Sequence, residues 1–136
     1  ITYSGHNNAV RGVMFHPDGA QVYSGGSDNK IHRWKIADAA KAAEVGFGGE
    51  LYKLAPGGEF FFTASAEQKV RQFKAADQAQ VREFAGAKDW VLSSAVHLGA
   101  KRVAAGSFDG EVKVWNLDDG AVVTSFFAAP GYTMPK

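Results

Sequence analysis

The chain has 136 residues, enough for one small domain or a piece of a larger one and too few for two full domains. Fifteen Lys and Arg against fourteen Asp and Glu leave a formal net charge of +1, too balanced to drive binding to nucleic acid or an anionic membrane by bulk electrostatics. There is no cysteine, which excludes disulfides, cysteine-ligated zinc, covalently attached c-type haem and cysteine nucleophiles, and no run approaches the roughly 18 apolar residues of a membrane span.

Sixteen glycines, ten Phe, four Tyr and three Trp favour short strands punctuated by turns. In chain order, residues 1–4 read as the end of a strand. Turn chemistry then recurs at Pro17-Asp18-Gly19, Gly25-Gly26, Pro56-Gly57-Gly58, Gly99, Asp109-Gly110 and Asp118-Asp119-Gly120. The Ala-rich stretch 37–44 is too short for an isolated helix and reads as a loop or the start of a strand. Turns this frequent predict an all-β antiparallel architecture.

Three segments superimpose without a gap: VMFHPDGAQVYSGGSDNKIHRW ending at Trp34, YKLAPGGEFFFTASAEQKVRQF ending at Phe73, and SAVHLGAKRVAAGSFDGEVKVW ending at Trp115. The last residue of the first turn stands 15 residues before the terminal aromatic each time, at Gly19, Gly58 and Ala100. An acidic residue, Asp28, Glu67 or Asp109, stands six before it. The aromatics are 39 and 42 residues apart, so each unit is about 40 residues of strand, turn, strand, turn, strand and a fourth strand such as 80–84 or 121–127.

Gly5-His6, His16-Pro17-Asp18-Gly19, Ser24-Gly25-Gly26-Ser27-Asp28, Ile31-His32-Arg33-Trp34 and the stretch from Ala105 to Asn116 carry a resemblance to the WD-repeat (WD40) family of β-propellers, with some likeness to bacterial members. The resemblance implies four-stranded blades: repeats at 5–45, 46–84 and 85–127, a fourth strand at 1–4 completing a preceding or partner blade, and a tail or linker at 128–136. It implies a structural network in which His6 bonds Asp28 and Ser24 bridges towards Trp34, with Asp109 and Trp115 in the equivalent places of the third repeat. The second repeat has Phe73 for Trp and Gly46-Phe47 for Gly-His, and the third has Gly86-Ala87, so both are expected to depend more on packing. Three blades do not close a ring of the usual 4 to 8. Either the chain is part of a longer one, which the sequence favours, or copies associate to complete the ring.

Candidate chemistry is sparse. His6, His16, His32 and His97 show no metal-ligand spacing, no Ser stands in a Gly-x-Ser-x-Gly elbow, and the glycine clusters lack a phosphate-loop pattern. No cofactor, metal or catalytic residue is expected. Basic residues on the third strands, Lys30, Arg33, Lys69, Arg71 and Lys113 among them, alternate with acidic ones and read as solvated, not as a nucleic-acid stripe. Arg33 and Gln72 are odd, since a polar side chain beside core-facing Ile31 and Val70 must reach a partner or the central channel.

The loops between fourth and first strands and between second and third strands share one rim. They offer Asn8, Phe47, Lys88, Trp90 and Phe108 as candidate partner contacts, the aromatics as anchors; the competing reading packs Trp90 over its own blade and Phe108 over a neighbour. The expected function is a non-catalytic scaffold binding protein partners or further blades. The alternative is an accessory propeller of a redox (cytochrome-linked) or hydrolytic enzyme whose catalytic part lies elsewhere. No membrane insertion is expected.

Overall fold

Turn geometry divides the chain into twelve short strands in the computed structural model, which describes residues 1–129. They are β1 (Val10–Phe15), β2 (Gln21–Gly26), β3 (Lys30–Lys35), β4 (Lys41–Gly46), β5 (Leu51–Gly57), β6 (Phe60–Ser65), β7 (Val70–Lys74), β8 (Gln80–Phe84), β9 (Val91–His97), β10 (Arg102–Ser107), β11 (Glu111–Asn116) and β12 (Val122–Phe127). Consecutive strands pair antiparallel into three four-stranded sheets, β1 to β4, β5 to β8 and β9 to β12. No helix occurs among the described residues. The stretch 37–44 supplies a turn and the start of β4. Residues 1–4 pair with no strand among the described residues, and the expected tail lies outside those residues from position 130 onward.

The turns repeat at the level of backbone angles. The β2–β3, β6–β7 and β10–β11 turns place Asn29, Gln68 and Gly110 in the left-handed region, at φ 61, 64 and 88. The β3–β4, β7–β8 and β11–β12 turns do the same with Ala39, Gln78 and Gly120. In each of these the preceding aspartate accepts a backbone N–H two residues on: Asp38 from Ala40 at 3.0 Å, Asp77 from Ala79 at 3.0 Å and Asp119 from Ala121 at 2.9 Å. That bond closes the turn from the side chain and offsets the steric cost of a left-handed Ala or Gln. The third repeat departs at its first turn, where the left-handed residue is Lys101 instead of the expected Ala100.

Two apolar seams hold the sheets together. Met14, Tyr23 and Ile31 of the first sheet meet Leu51, Leu54, Phe61 and Phe73 of the second. Ala55, Phe62, Ala64, Val70 and Phe84 of the second meet Val91, Val103, Ala105 and Trp115 of the third. Successive strand residues point to opposite faces, so Phe61 enters one seam and Phe62 the other, both fully buried. Polar latches cross the same seams. The Tyr23 hydroxyl donates to the Ala75 carbonyl, Arg33 Nη1 to Ala76 O at 2.8 Å, and Arg82 Nη1 to Leu117 O at 2.8 Å. Arg33 therefore reaches the next sheet, not a channel. Gln72 is buried and its Oε1 finds no partner among the described residues.

Replacing Phe61 by Ala is expected to lower stability by about 3–5 kcal/mol through lost burial and a cavity in the first seam. Phe15, 69% exposed, serves as the control: Phe15→Ala should stay within about 0.5 kcal/mol. Urea midpoints of the two variants check both values.

Candidate functional site: a locked blade apex and an aromatic rim

At the apex of the first sheet, His6 joins the segment before β1 to the β2–β3 turn. Its Nδ1 donates to Asp28 Oδ2 at 2.8 Å, and its Nε2 accepts the Ser24 hydroxyl at 2.8 Å. Ser24 thus bonds His6 and not Trp34, whose indole Nε1 has no hydrogen-bond partner among the described residues. Instead Tyr3 stacks on Trp34 with ring centroids 5.1 Å apart and planes 4° from parallel, and donates its hydroxyl to His32 Nδ1. The approach is close enough to require Gly5, where a Cβ would lie 2.3 Å from the Tyr3 oxygen and 2.9 Å from His32 Nδ1. His32 stacks beneath His6, 4.2 Å between centroids.

The second sheet fills the same register with other chemistry. Phe47 stands where His6 does, Glu67 where Asp28 does and Arg71 where His32 does. Arg71 Nε donates to Glu67 Oε2 at 2.9 Å while its Cζ lies 5.2 Å from the Phe47 ring centroid. Glu67 also accepts from Gly48 N at 3.1 Å and from the Ser65 hydroxyl at 3.3 Å. This repeat, expected to depend more on packing, carries a charge-assisted pair in the place of the histidine network. Phe47, expected as a rim contact, is partly buried, with its ring against Arg71 and Phe73. In the third sheet Asp109 accepts the Ser107 hydroxyl at 2.6 Å, and Trp115 Nε1 donates to Ala85 O at 2.9 Å.

On the rim, Trp90 and Phe108 lie 6.0 Å apart between centroids and are 48% and 40% exposed. Tyr52 lies 6.5 Å from Trp90, and Arg11 Cζ stands 5.9 Å from the Tyr52 centroid. The four side chains form a strip crossing all three sheets. Lys88 is exposed beside it, its carbonyl accepting from Gln68 at 3.3 Å. Asn8 turns back on the Ala9 amide at 2.8 Å and lines a cavity in front of the first sheet. Sequence reading missed Arg11 and Tyr52 because each is the extra residue of a β-bulge, between Val10 and Gly12 and between Leu51 and Lys53. Leu92 is the third such residue. The gapless repeat alignment hid the equivalence, because it sets Tyr52 against Val13, whereas strand pairing sets it against Arg11.

The sequence profile of the WD domain, G-beta repeat family matches residues 1–35 and 78–116, more than half of the chain. The chain belongs to the WD40-repeat family. It is 26% identical over 137 residues to pre-mRNA-processing factor 19 of Caenorhabditis elegans, covering 92% of this chain and 27% of that protein. It is 26% identical over 128 residues to transcription initiation factor TFIID subunit 5 of the same organism, covering 93% and 20%. The fold matches the crystal structure of the RRP9 WD40 repeats with a TM-score of 0.83 at 21% identity, over 91% of this chain and 40% of that one. The chain therefore spans about a quarter of the length of these protein relatives.

The first WD40 blade invites two chemical readings, and its geometry supports neither. Ser24, His6 and Asp28 are connected like a nucleophilic triad, but Ser24 lies in mid-strand, paired with Val13 on one side and His32 on the other. Its backbone belongs to the sheet ladder, so it brings no free N–H pair for an oxyanion. His6, Asp28 and His32 have ligand atoms within 4.8 Å of one another, yet the imidazoles lie face to face, 16° from parallel. Their in-plane lone pairs run side by side and do not converge on a point about 2.0–2.1 Å from both, as zinc needs.

The WD40 apex does titrate. Burial, then neighbouring His6, pushes the His32 imidazole below its ordinary 6.5. Burial raises the Asp28 carboxyl, but the hydrogen bond and charge of His6 outweigh it and leave the group below its ordinary 3.8. The unfolded chain takes up the His32 proton first, so stability is complete above about pH 6.5 and is lost as pH falls below it. The Asp28 contribution is lost only below about pH 3.8. The urea midpoint of the native chain should decline as pH falls below about 6.5, and His32→Gln should flatten that decline while keeping the loss below about pH 3.8.

Proposed function

We propose that this WD40 chain is a non-catalytic scaffold that binds a protein partner across the rim formed by Arg11, Tyr52, Trp90 and Phe108. The carrying observation is the exposed aromatic strip itself. Three rings and a guanidinium touch in sequence across three blades, and none of them belongs to either seam. Aromatic and Arg side chains dominate interface energetics when they enter partner pockets. Lys88 and Asn8 flank the strip as polar contacts.

The basic residues of the third strands face acids: Lys30 to Glu44 at 3.4 Å, Lys69 to Glu83 at 3.1 Å and Lys113 to Glu111 at 3.3 Å. That neutralisation supports a protein partner over nucleic acid. The relatives support the same direction, one being by name a subunit of a transcription initiation factor. They come from eukaryotes, which gives the bacterial likeness no support. The blade limits 5–45, 46–84 and 85–127, with 1–4 as a fourth strand for an adjoining blade, remain our division of the chain. Its end faces are proposed to meet further blades.

In a quantitative pull-down, Trp90→Ala and Phe108→Ala should each weaken retention of the partner by about 2 kcal/mol or more, roughly 30-fold. The stability of both variants should stay close to that of the native chain. Equal retention by native chain and both variants would remove the rim assignment.

A further inference from the structure

The cations of this chain divide into those already engaged and those left over. Lys30, Lys41, Lys69, Lys101 and Lys113 each pair with a carboxylate, Arg71 is held by Glu67, and Arg33, Arg82 and Arg102 donate to backbone carbonyls. Lys35, Lys53, Lys74 and Lys88 pair with no carboxylate among the described residues. Lys35 and Lys74 close β3 and β7, at the end of the blades opposite the rim. Lys53 and Lys88 stand beside the aromatic strip.

Lys53 follows Tyr52 in β5 and is exposed. Its Nζ lies 3.4 Å from Ser93 Oγ, three residues past Trp90, so its ammonium spans the same two blades as the contact between Tyr52 and Trp90. Lys88, also exposed, precedes Trp90 by two residues. Arg11 ends the strip. Its Nε donates to Ser27 Oγ at 2.8 Å, and its ion pair with Glu50 is long, 3.9 Å between two half-exposed side chains, a contact of little strength in water. The other acids nearby are committed to their own loops: Asp89 accepts the Trp90 amide at 2.7 Å, and Asp109 accepts the Ser107 hydroxyl at 2.6 Å and the Glu111 amide at 3.2 Å. Positive charge without a close partner therefore surrounds an apolar strip whose neighbouring carboxylates are already bonded.

We propose that the rim takes an acidic peptide segment of its protein partner, with a bulky apolar side chain seated on Tyr52, Trp90 and Phe108 and flanking carboxylates meeting Arg11, Lys53 and Lys88. The inference rests on the rim being the binding surface, and it adds the chemistry of what binds there. Charge complementarity of this kind steers encounter and rejects wrong partners more than it adds raw affinity, so it acts on choice of partner while the aromatic anchors supply the hold. Ring geometry favours a peptide over a single-stranded nucleic acid. Tyr52 and Trp90 are tilted by 42° at 6.5 Å, and Trp90 and Phe108 by 53° at 6.0 Å. Rings leaning on one another in this way leave no parallel-sided slot for a base to stack in, whereas the clefts between them suit a branched or aromatic side chain. A formal net charge of +1 also gives the chain little attraction for a polyanion.

Selection of a random peptide library on the native chain, followed by titration of the enriched peptides against variants, tests it. Enriched peptides should carry a bulky apolar residue flanked by Asp or Glu. Lys53→Glu and Lys88→Glu should each raise the dissociation constant about 10-fold, added salt should raise it further, and the urea midpoints of both variants should match that of the native chain. Lys35→Glu, at the opposite end of its blade, should leave the affinity unchanged. Enriched peptides that bind Trp90→Ala as well as the native chain, or no enrichment at all, would overturn the rim reading and this inference with it. Neutral or basic peptides that need Trp90, or acidic ones indifferent to both lysine reversals, would overturn the acidic segment alone and leave the rim standing. Trp90-dependent binding of a labelled single-stranded oligouridylate would overturn it in favour of nucleic acid.

Discussion

Everything in this molecule depends on covering both faces of a four-stranded sheet. A sheet of this size has apolar side chains on each face and cannot bury either alone, so neighbouring sheets must supply the cover. The second sheet satisfies the condition completely: β6 sends Phe61 one way and Phe62 the other, and neither is exposed. The outer sheets satisfy it on one face each, which is why Val13 and Phe126 stand in solvent while Leu54, which opposes Thr63 as Val13 opposes Ser24, and Phe84 are buried. Tyr3 reduces the deficit at one end by lying on Trp34. No comparable segment lies over Phe126 among the described residues, and the asymmetry follows from chain direction, because a fourth strand precedes the blade it helps to cover.

The apex shows what the fold requires and what it leaves free. Each blade must tie the segment entering its first strand to the turn between its second and third. The first does so with His6 and Asp28, the second with Glu67 accepting from Gly48 N, and the third with Phe108 N donating to Trp90 O, while Ser107 and Asp109 bond each other beside that turn. The position beneath is basic throughout, His32, Arg71 and Lys113. In the second and third blades the base is permanently charged and stands near a glutamate. In the first it is a buried imidazole stacked on another, so that blade alone carries a histidine at this position. The acid sensitivity worked out for His32 is thus local to one blade.

How much was legible in the sequence follows from which constraints are local. The period, the strands and the all-β class were legible because turn residues and terminal aromatics recur at fixed spacing, and a turn's chemistry is contained in three or four residues. The bond from His6 to Asp28 was legible through the family resemblance, whereas the bridge expected from Ser24 to Trp34 ends on His6. The Arg71 and Glu67 lock was not, because nothing in a string shows that an arginine one strand away can stand in for a histidine in the preceding loop. Arg33 was recognisable as anomalous, but its acceptor, the Ala76 carbonyl, belongs to another sheet 43 residues on. Phe47 misled for the converse reason: a phenylalanine in a glycine-rich loop looks free until the guanidinium beneath it is seen.

The bulges explain why recognition and stability are separable here. Strict alternation would commit every first-strand residue to a seam or to the channel side of the sheet. One extra residue per strand interrupts it, turning Arg11, Tyr52 and Leu92 away from the ladder at the rim. Those positions can change identity without disturbing the Val10, Leu51 and Val91 contacts beside them, so one scaffold can carry different surfaces. The strip is consistent with this division, because Trp90 and Phe108 are joined by a backbone bond, Phe108 N to Trp90 O at 2.9 Å, that holds their loops together whatever side chains they bear. A partner that reads the strip reads residues the fold does not need, placed by backbone the fold cannot give up.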